Sequence, residues 1–143
     1  MSLLRLSDGE SFLELGIAFE ETDSRARGDA RLTVKVYSAG FGGQGGLWVD
    51  ATALKNFCSG LIALELSLHG ETRLESMSPN ELDLKIFPAN ALGHLAVSGS
   101  IGRHIHDRND RFWHAVSFGF EFELSQLSAA ARLPWVQRYA NHK

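Results

Sequence analysis

Apolar residues alternate with polar or small ones along much of the chain. Leu13, Leu15, Ile17 and Phe19 form one such run, and Leu3 to Leu6 precedes it across Ser7-Asp8-Gly9-Glu10, a turn signal. Together they predict a hairpin at the start of the fold. Glu20 to Asp29 is polar and reads as a loop. Leu32, Val34 and Val36 then alternate with Arg31, Thr33, Lys35 and Tyr37, the pattern of a strand with one wet face. Leu82, Leu84 and Ile86 repeat that pattern after the polar connection Glu71 to Asn80. Turns at Pro88-Ala89-Asn90 and Asp107-Arg108-Asn109-Asp110 set off two more strands, over Leu92 to Ile105 and Phe112 to Leu124.

The period changes after Asp50. Leu54, Phe57, Cys58, Leu61, Leu64 and Leu68 have the spacing of one buried helical face, with Asp50 as cap and Gly70 as stop. Gly60 weakens this helix by about 1 kcal/mol relative to Ala, so its last turn or two could instead be extended. At the other end, Ser125 is placed to cap a helical segment through Leu127, Ala130 and Ala131, and Pro134 either kinks it or opens a second one carrying Trp135, Val136 and Tyr139. The pattern predicts an α+β fold: a predominantly antiparallel sheet, or two packed sheets, of about six to seven strands, with one central helix and a C-terminal helical segment.

The register of the last hairpin follows from burial. Pairing His106 with Arg111 sets Leu95 against Phe122, Val97 against Phe120, Gly99 against Phe118, Ile101 against Val116 and Ile105 against Phe112, a nearly continuous apolar face. A slip of one residue would set Leu95 and Val97 against glutamates and Gly119. The same register governs the most chemical-looking cluster, His104, His106, Asp107, Asp110 and His114. Imidazoles two apart on a strand can share a metal ion, which suggests a small metal-dependent or hydrolytic enzyme as an alternative reading. Against it, His104 and His106 face Trp113 and Arg111, and His114 points to the opposite face beside Arg103. The outer face of the hairpin also carries a run of small residues, Ala96, Ser98, Ser100, Gly102, Ala115, Ser117 and Gly119. The C-terminal helical segment is expected to fold back across it; a groove for a partner or a homodimer contact is the other reading.

Composition narrows the class. At 143 residues, with 44% hydrophobic and 22% charged residues, the chain predicts one globular domain over 1–143. A net charge of -3 lacks the basic excess of nucleic-acid binding. The single cysteine, Cys58, reads as a buried hydrophobe in a reducing compartment. No signal-peptide pattern or apolar run of about 20 residues is present, so a cytoplasmic protein without a membrane partner is expected. The segment Gly40-Phe41-Gly42-Gly43-Gln44-Gly45-Gly46 reads as a flexible or partner-contacting loop; no Gly-Lys-Ser/Thr follows, so it is not a phosphate loop. No serine nucleophile elbow occurs, and no cofactor is implied.

Several of these segments, taken in order, are similar to the WapI-type immunity proteins. They are Leu6-Ser7-Asp8-Gly9 before Phe12-Leu13-Glu14-Leu15, then Leu32-Thr33-Val34-Lys35-Val36, Trp48-Val49-Asp50 and the helix with Leu54, Phe57 and Leu61. The tail, Phe118-Gly119-Phe120-Glu121-Phe122-Glu123-Leu124 into Leu133-Pro134-Trp135-Val136, carries the resemblance further. It implies a non-enzymatic protein that binds and neutralises a bacterial toxin domain. No catalytic residue carries over. Inhibition would then rest on surface anchors, for which Phe41, Trp48, His104, Arg111 and Trp113 are the candidates. A Trp just before a helix is usually core, so Trp113, on the wet face, is the better anchor of the two tryptophans.

Overall fold

A computed structural model describes residues 2–20, 28–104 and 112–141. Two antiparallel four-stranded sheets and three helices make up the fold. The first sheet runs β1 (Leu4–Ser7), β2 (Phe12–Glu20), β3 (Ala30–Ser38) and β4 (Phe41–Val49) in sequential order. The helix α1 (Ala51–Ser67) leads to the second sheet, β5 (Thr72–Glu75), β6 (Leu82–Pro88), β7 (His94–His104) and β8 (Trp113–Glu123), again in sequential order. Two short helices close the chain, α2 (Leu124–Ala131) and α3 (Pro134–Ala140), with Pro134 at the first turn where its missing N–H costs nothing.

The strands owe their faces to alternation. In β3, Leu32, Val34 and Val36 are buried and Arg31, Thr33, Lys35 and Tyr37 are exposed. The inward residues of both sheets and of the helices form one apolar cluster, centred on leucines of β1, β2, β3 and β6 and on Phe118, Phe120 and Phe122 of β8. β8 lies against the first sheet, reaching β1, β3 and β4. Ser38, buried at the end of β3, donates its Oγ–H to the Gly119 carbonyl across the two sheets, 3.2 Å away. The opening hairpin turn is held by Asp8, whose carboxylate accepts from the Ser11 and Glu10 amides at 2.6 and 2.9 Å. Those amides hold the Asp8 carboxyl below its ordinary pKa. Its contribution to stability is therefore present above the ordinary carboxylate range and fades as acid protonates the folded turn.

The hairpin register deduced from burial is the observed one, from His94 opposite Glu123 to His104 opposite Trp113. Leu95, Val97, Ile101, Phe118, Phe120 and Phe122 are buried, but Phe112 is 68% exposed and leaves the apolar face that the pattern assigns to it. The eight strands exceed the six or seven expected because two segments read as connections are strands. Thr72–Glu75, inside the polar stretch, pairs with β6 and turns Thr72 and Leu74 inward. The glycine-rich segment is the larger correction. It is no loop: it pairs without interruption with β3, from Ser38 opposite Phe41 to Ala30 opposite Val49. Only Gly40 of its five glycines takes a positive φ, at 88°, next to Ala39 at 52°. This is the two-residue turn with both central residues left-handed that suits the twist of a hairpin.

Helix α1 starts where expected, with Asp50 Oδ1 accepting from the Ala53 amide at 2.7 Å, and it buries Leu54, Phe57, Cys58, Leu61 and Leu64. It stays helical past Gly60 and ends at Leu68, which adopts φ 56° and donates its N–H to the Leu64 carbonyl, ahead of Gly70. α2 begins at Leu124 with Glu123 at the cap position, so Ser125 lies inside the helix and is no cap. The C-terminal helices do not cover the small-residue face. They pack on α1, with α2 also against β1, and Ala115, Ser117 and Gly119 are exposed.

Gly60 has a packing reason. A Cβ there would collide with Thr72 Oγ1 and come within 2.6 Å of Thr72 Cβ, and Thr72 is pinned because its hydroxyl donates to the Phe57 carbonyl at 3.0 Å. On helix propensity alone Gly60→Ala should stabilise by about 1 kcal/mol. Here it should destabilise by about 1–3 kcal/mol through overpacking, measured as the urea midpoint at unchanged slope.

Candidate functional site

The glycines of β4 shape a cleft of about 610 Å³. Along β4, Leu47 and Val49 point to the core and Trp48 points out, so Gly43 and Gly45 occupy core-facing positions with no side chain. A Cβ on Gly43 would come within 3.1 Å of Ile101 and 3.2 Å of Val116, so here the strand lies against the β7–β8 hairpin. Two residues on, a Cβ on Gly45 would meet nothing within 4 Å, and the gap opens. Its walls are Gly42 to Leu47 on one side, and Ile101 to Arg103 with Trp113 to Val116 on the other. Arg103, His114, Gln44 and Glu81 supply its polar groups. Peptide backbone thus makes up much of one wall.

Trp113 borders this cleft. Its ring lies directly over Gly102, where any side chain would collide with it, and stands edge-on to His104 with centroids 5.1 Å apart. Gly102 is itself held by its amide bonding to the Glu81 carbonyl at 3.1 Å. The indole remains 41% exposed, an apolar plate at the end of the hairpin. His104 and Trp113, proposed as anchors from the sequence, are therefore in contact. Phe41 and Trp48 are not with them. They lie at opposite ends of β4 and on opposite faces, Phe41 being 68% exposed and Trp48 37% exposed. The expectation that Trp48 is core fails because it pairs with outward-facing Arg31. Arg111, His106, Asp107 and Asp110 lie outside the described residues, so the histidine cluster is described only at His104 and His114. Among the described residues no group of three or more His, Cys, Asp and Glu is placed to hold a metal.

Sequence reasoning missed an aromatic pair on the outer face of the first sheet. The strict alternation of β2 breaks between Ile17 and Phe19, where a bulge shifts the register against β3. Phe19 is thereby turned outward, 52% exposed, and meets Trp48 edge to face at 5.9 Å. Further along that face Phe12 stacks on Tyr37 at 6.2 Å under the Arg5 guanidinium, 4.9 Å from the ring. No signal for the bulge exists in the one-dimensional pattern.

Cys58 is fully buried, and burial pushes its thiol up to about 12. Such a thiol is a packing group with little thiolate at neutral pH. No helix among the described residues is long and apolar enough to cross a membrane. Compared with models of protein families, with characterised proteins and with solved structures, the chain matches none.

Proposed function

We propose that this chain is a non-enzymatic binding protein of the immunity type, which neutralises a bacterial toxin domain by covering it. The observation that carries the proposal is the exposed Trp113, set on Gly102 and His104 at the rim of a cleft. Aromatic side chains have only about two torsions to freeze on binding and dominate protein interfaces. Trp48 with Phe19, and Phe41, extend the supply of anchors along β4 and onto β2. Identity of the partner as a toxin comes from the resemblance to the WapI-type immunity proteins. A cytoplasmic site of action goes with it, since the toxin would act inside the cell that must be protected.

The test is co-expression with the toxic C-terminal domain of a long secreted protein encoded beside this chain's gene. Growth is restored if the reading is right. Trp113→Ala should weaken the complex by about 30-fold, the equivalent of about 2 kcal/mol for a central aromatic anchor, in a variant that keeps the wild-type fold by circular dichroism. Toxicity undiminished by the wild-type chain, at confirmed expression of both proteins, would refute it.

A further inference from the structure

The two sheets end in four edges, and another element of the chain reaches three of them. At β1, Gln126 of α2 imitates a neighbouring strand: its Oε1 accepts from the Ser7 amide at 2.7 Å and its Nε2 donates to the Ser7 carbonyl at 2.8 Å. At β5, α1 packs alongside. At β8, the first sheet approaches and Ser38 reaches the Gly119 carbonyl. β4 differs. Among the described residues nothing pairs with its outer edge over Gly42 to Gly46, although beyond that stretch the Met77 amide donates to the Trp48 carbonyl at 2.8 Å.

Register tells which groups are offered there. Ser38 and Phe41 flank a two-residue turn and so form a hydrogen-bonded pair, and such pairs alternate along an antiparallel ladder. Gly43, Gly45 and Leu47 therefore bond to β3, whereas Gly42, Gln44, Gly46 and Trp48 aim their N–H and C=O groups outward. The bond from Met77 to Trp48 obeys this phase. Natural edges are usually blunted by Pro, Lys, a bulge or a cover. The segment Gly42-Gly43-Gln44-Gly45-Gly46 has no proline and no charge, and its pairing with β3 has no bulge.

We infer that β4 is a docking edge, which takes up an extended, acidic segment of a partner protein as a fifth strand of the first sheet. Main-chain hydrogen bonds would supply the affinity, as in strand addition generally. Charge selects the occupant. The Arg31 guanidinium lies over Gly46, Lys35 stands opposite Gln44, and Arg103 lines the cleft under Gly45. Of the nearby carboxylates among the described residues, Glu14 is engaged by Arg5 at 3.0 Å and Glu81 lines the cleft. A second copy of β4 would bring no carboxylate to these cations. The inference rests on the reading of the chain as a protein-binding module and specifies the edge it binds with. A peptide assay needs no toxin and the rescue assay no peptide, so the two can fail separately.

The probe is a blocked nine-residue peptide alternating glutamate and valine, with a lysine-for-glutamate peptide as control, read by amide exchange and chemical shift. With the glutamate peptide, exchange at the Gly42, Gln44 and Gly46 amides should slow at least fivefold, while the Gly43 and Gly45 amides, already bonded to β3, stay unchanged. The glutamate peptide should bind at least tenfold more tightly than the lysine peptide. Gly45→Glu, where an added Cβ meets nothing within 4 Å and the cleft lies beyond, should keep the fold and weaken binding at least tenfold. Absent or non-alternating protection, equal binding of the two peptides, or undiminished binding to Gly45→Glu would overturn the inference. So would a wild-type dimer whose Gly42, Gln44 and Gly46 amides are protected without peptide, which assigns the edge to a second copy.

Discussion

Replacing Gly99 with valine should cost about 3 kcal/mol or more, lowering the melting temperature by about 10 °C for a chain of this size. Gly99 sits mid-strand in β7, between Leu84 of β6 and Phe118 of β8. A Cβ at this position would collide with the Asp83 carbonyl oxygen and come within 2.8 Å of the Leu84 Cα. Both belong to the backbone of the neighbouring strand, so no side-chain rotation relieves the clash and the ladder itself must part. Gly102, further along β7, provides the contrast. The nearest atoms to a Cβ there all belong to the Trp113 ring, a partly exposed side chain that can shift without parting the ladder. Gly102→Ala should therefore cost less than about 1 kcal/mol, as a clash relieved by one side chain, and shift the Trp113 fluorescence. Equal costs at the two glycines, by chemical denaturation, would contradict the packing described for β6 and β7.

Phe57→Ala should remove about 3–5 kcal/mol, a large share of the roughly 5–15 kcal/mol that holds a typical domain together. Phe57 is fully buried on α1, the helix that packs against β5, α2 and α3. Its own carbonyl accepts the Thr72 hydroxyl, so a cavity here also loosens the tie between helix and second sheet. Phe112→Ala removes the same atoms from an exposed address and should change stability by no more than about 0.5 kcal/mol. Periodicity places both phenylalanines in the core, so the pair separates the pattern from the fold. Comparable losses in the two variants would mean that Phe112 is packed after all.

Where the chain keeps a single period over many residues, hydropathy is a sufficient guide. The β7–β8 register is legible because a slip of one residue exchanges every side chain between the faces, and only one choice buries Leu95, Val97, Phe120 and Phe122. The buried face of α1 is legible for the same reason. The failures share a cause too. In β4, Gly42, Gly43, Gly45 and Gly46 leave hydropathy without a period, and the strand character comes from pairing with β3. At Phe19 a bulge inserts one residue and reverses the phase. β5 is short enough that two inward residues, Thr72 and Leu74, are its whole signal. These same departures shape the candidate site: the cleft exists because Gly43 and Gly45 lack side chains, and the exposed Phe19–Trp48 pair exists because of the bulge.

That the chain acts by binding is tested most directly by titrating the purified toxin domain encoded beside it into the purified wild-type chain by calorimetry, with Trp113→Ala alongside. The account predicts a saturable one-to-one complex for the wild type and an affinity about 30-fold lower for the variant. No heat of binding with an active, folded toxin domain, or a complex indifferent to Trp113, would contradict it.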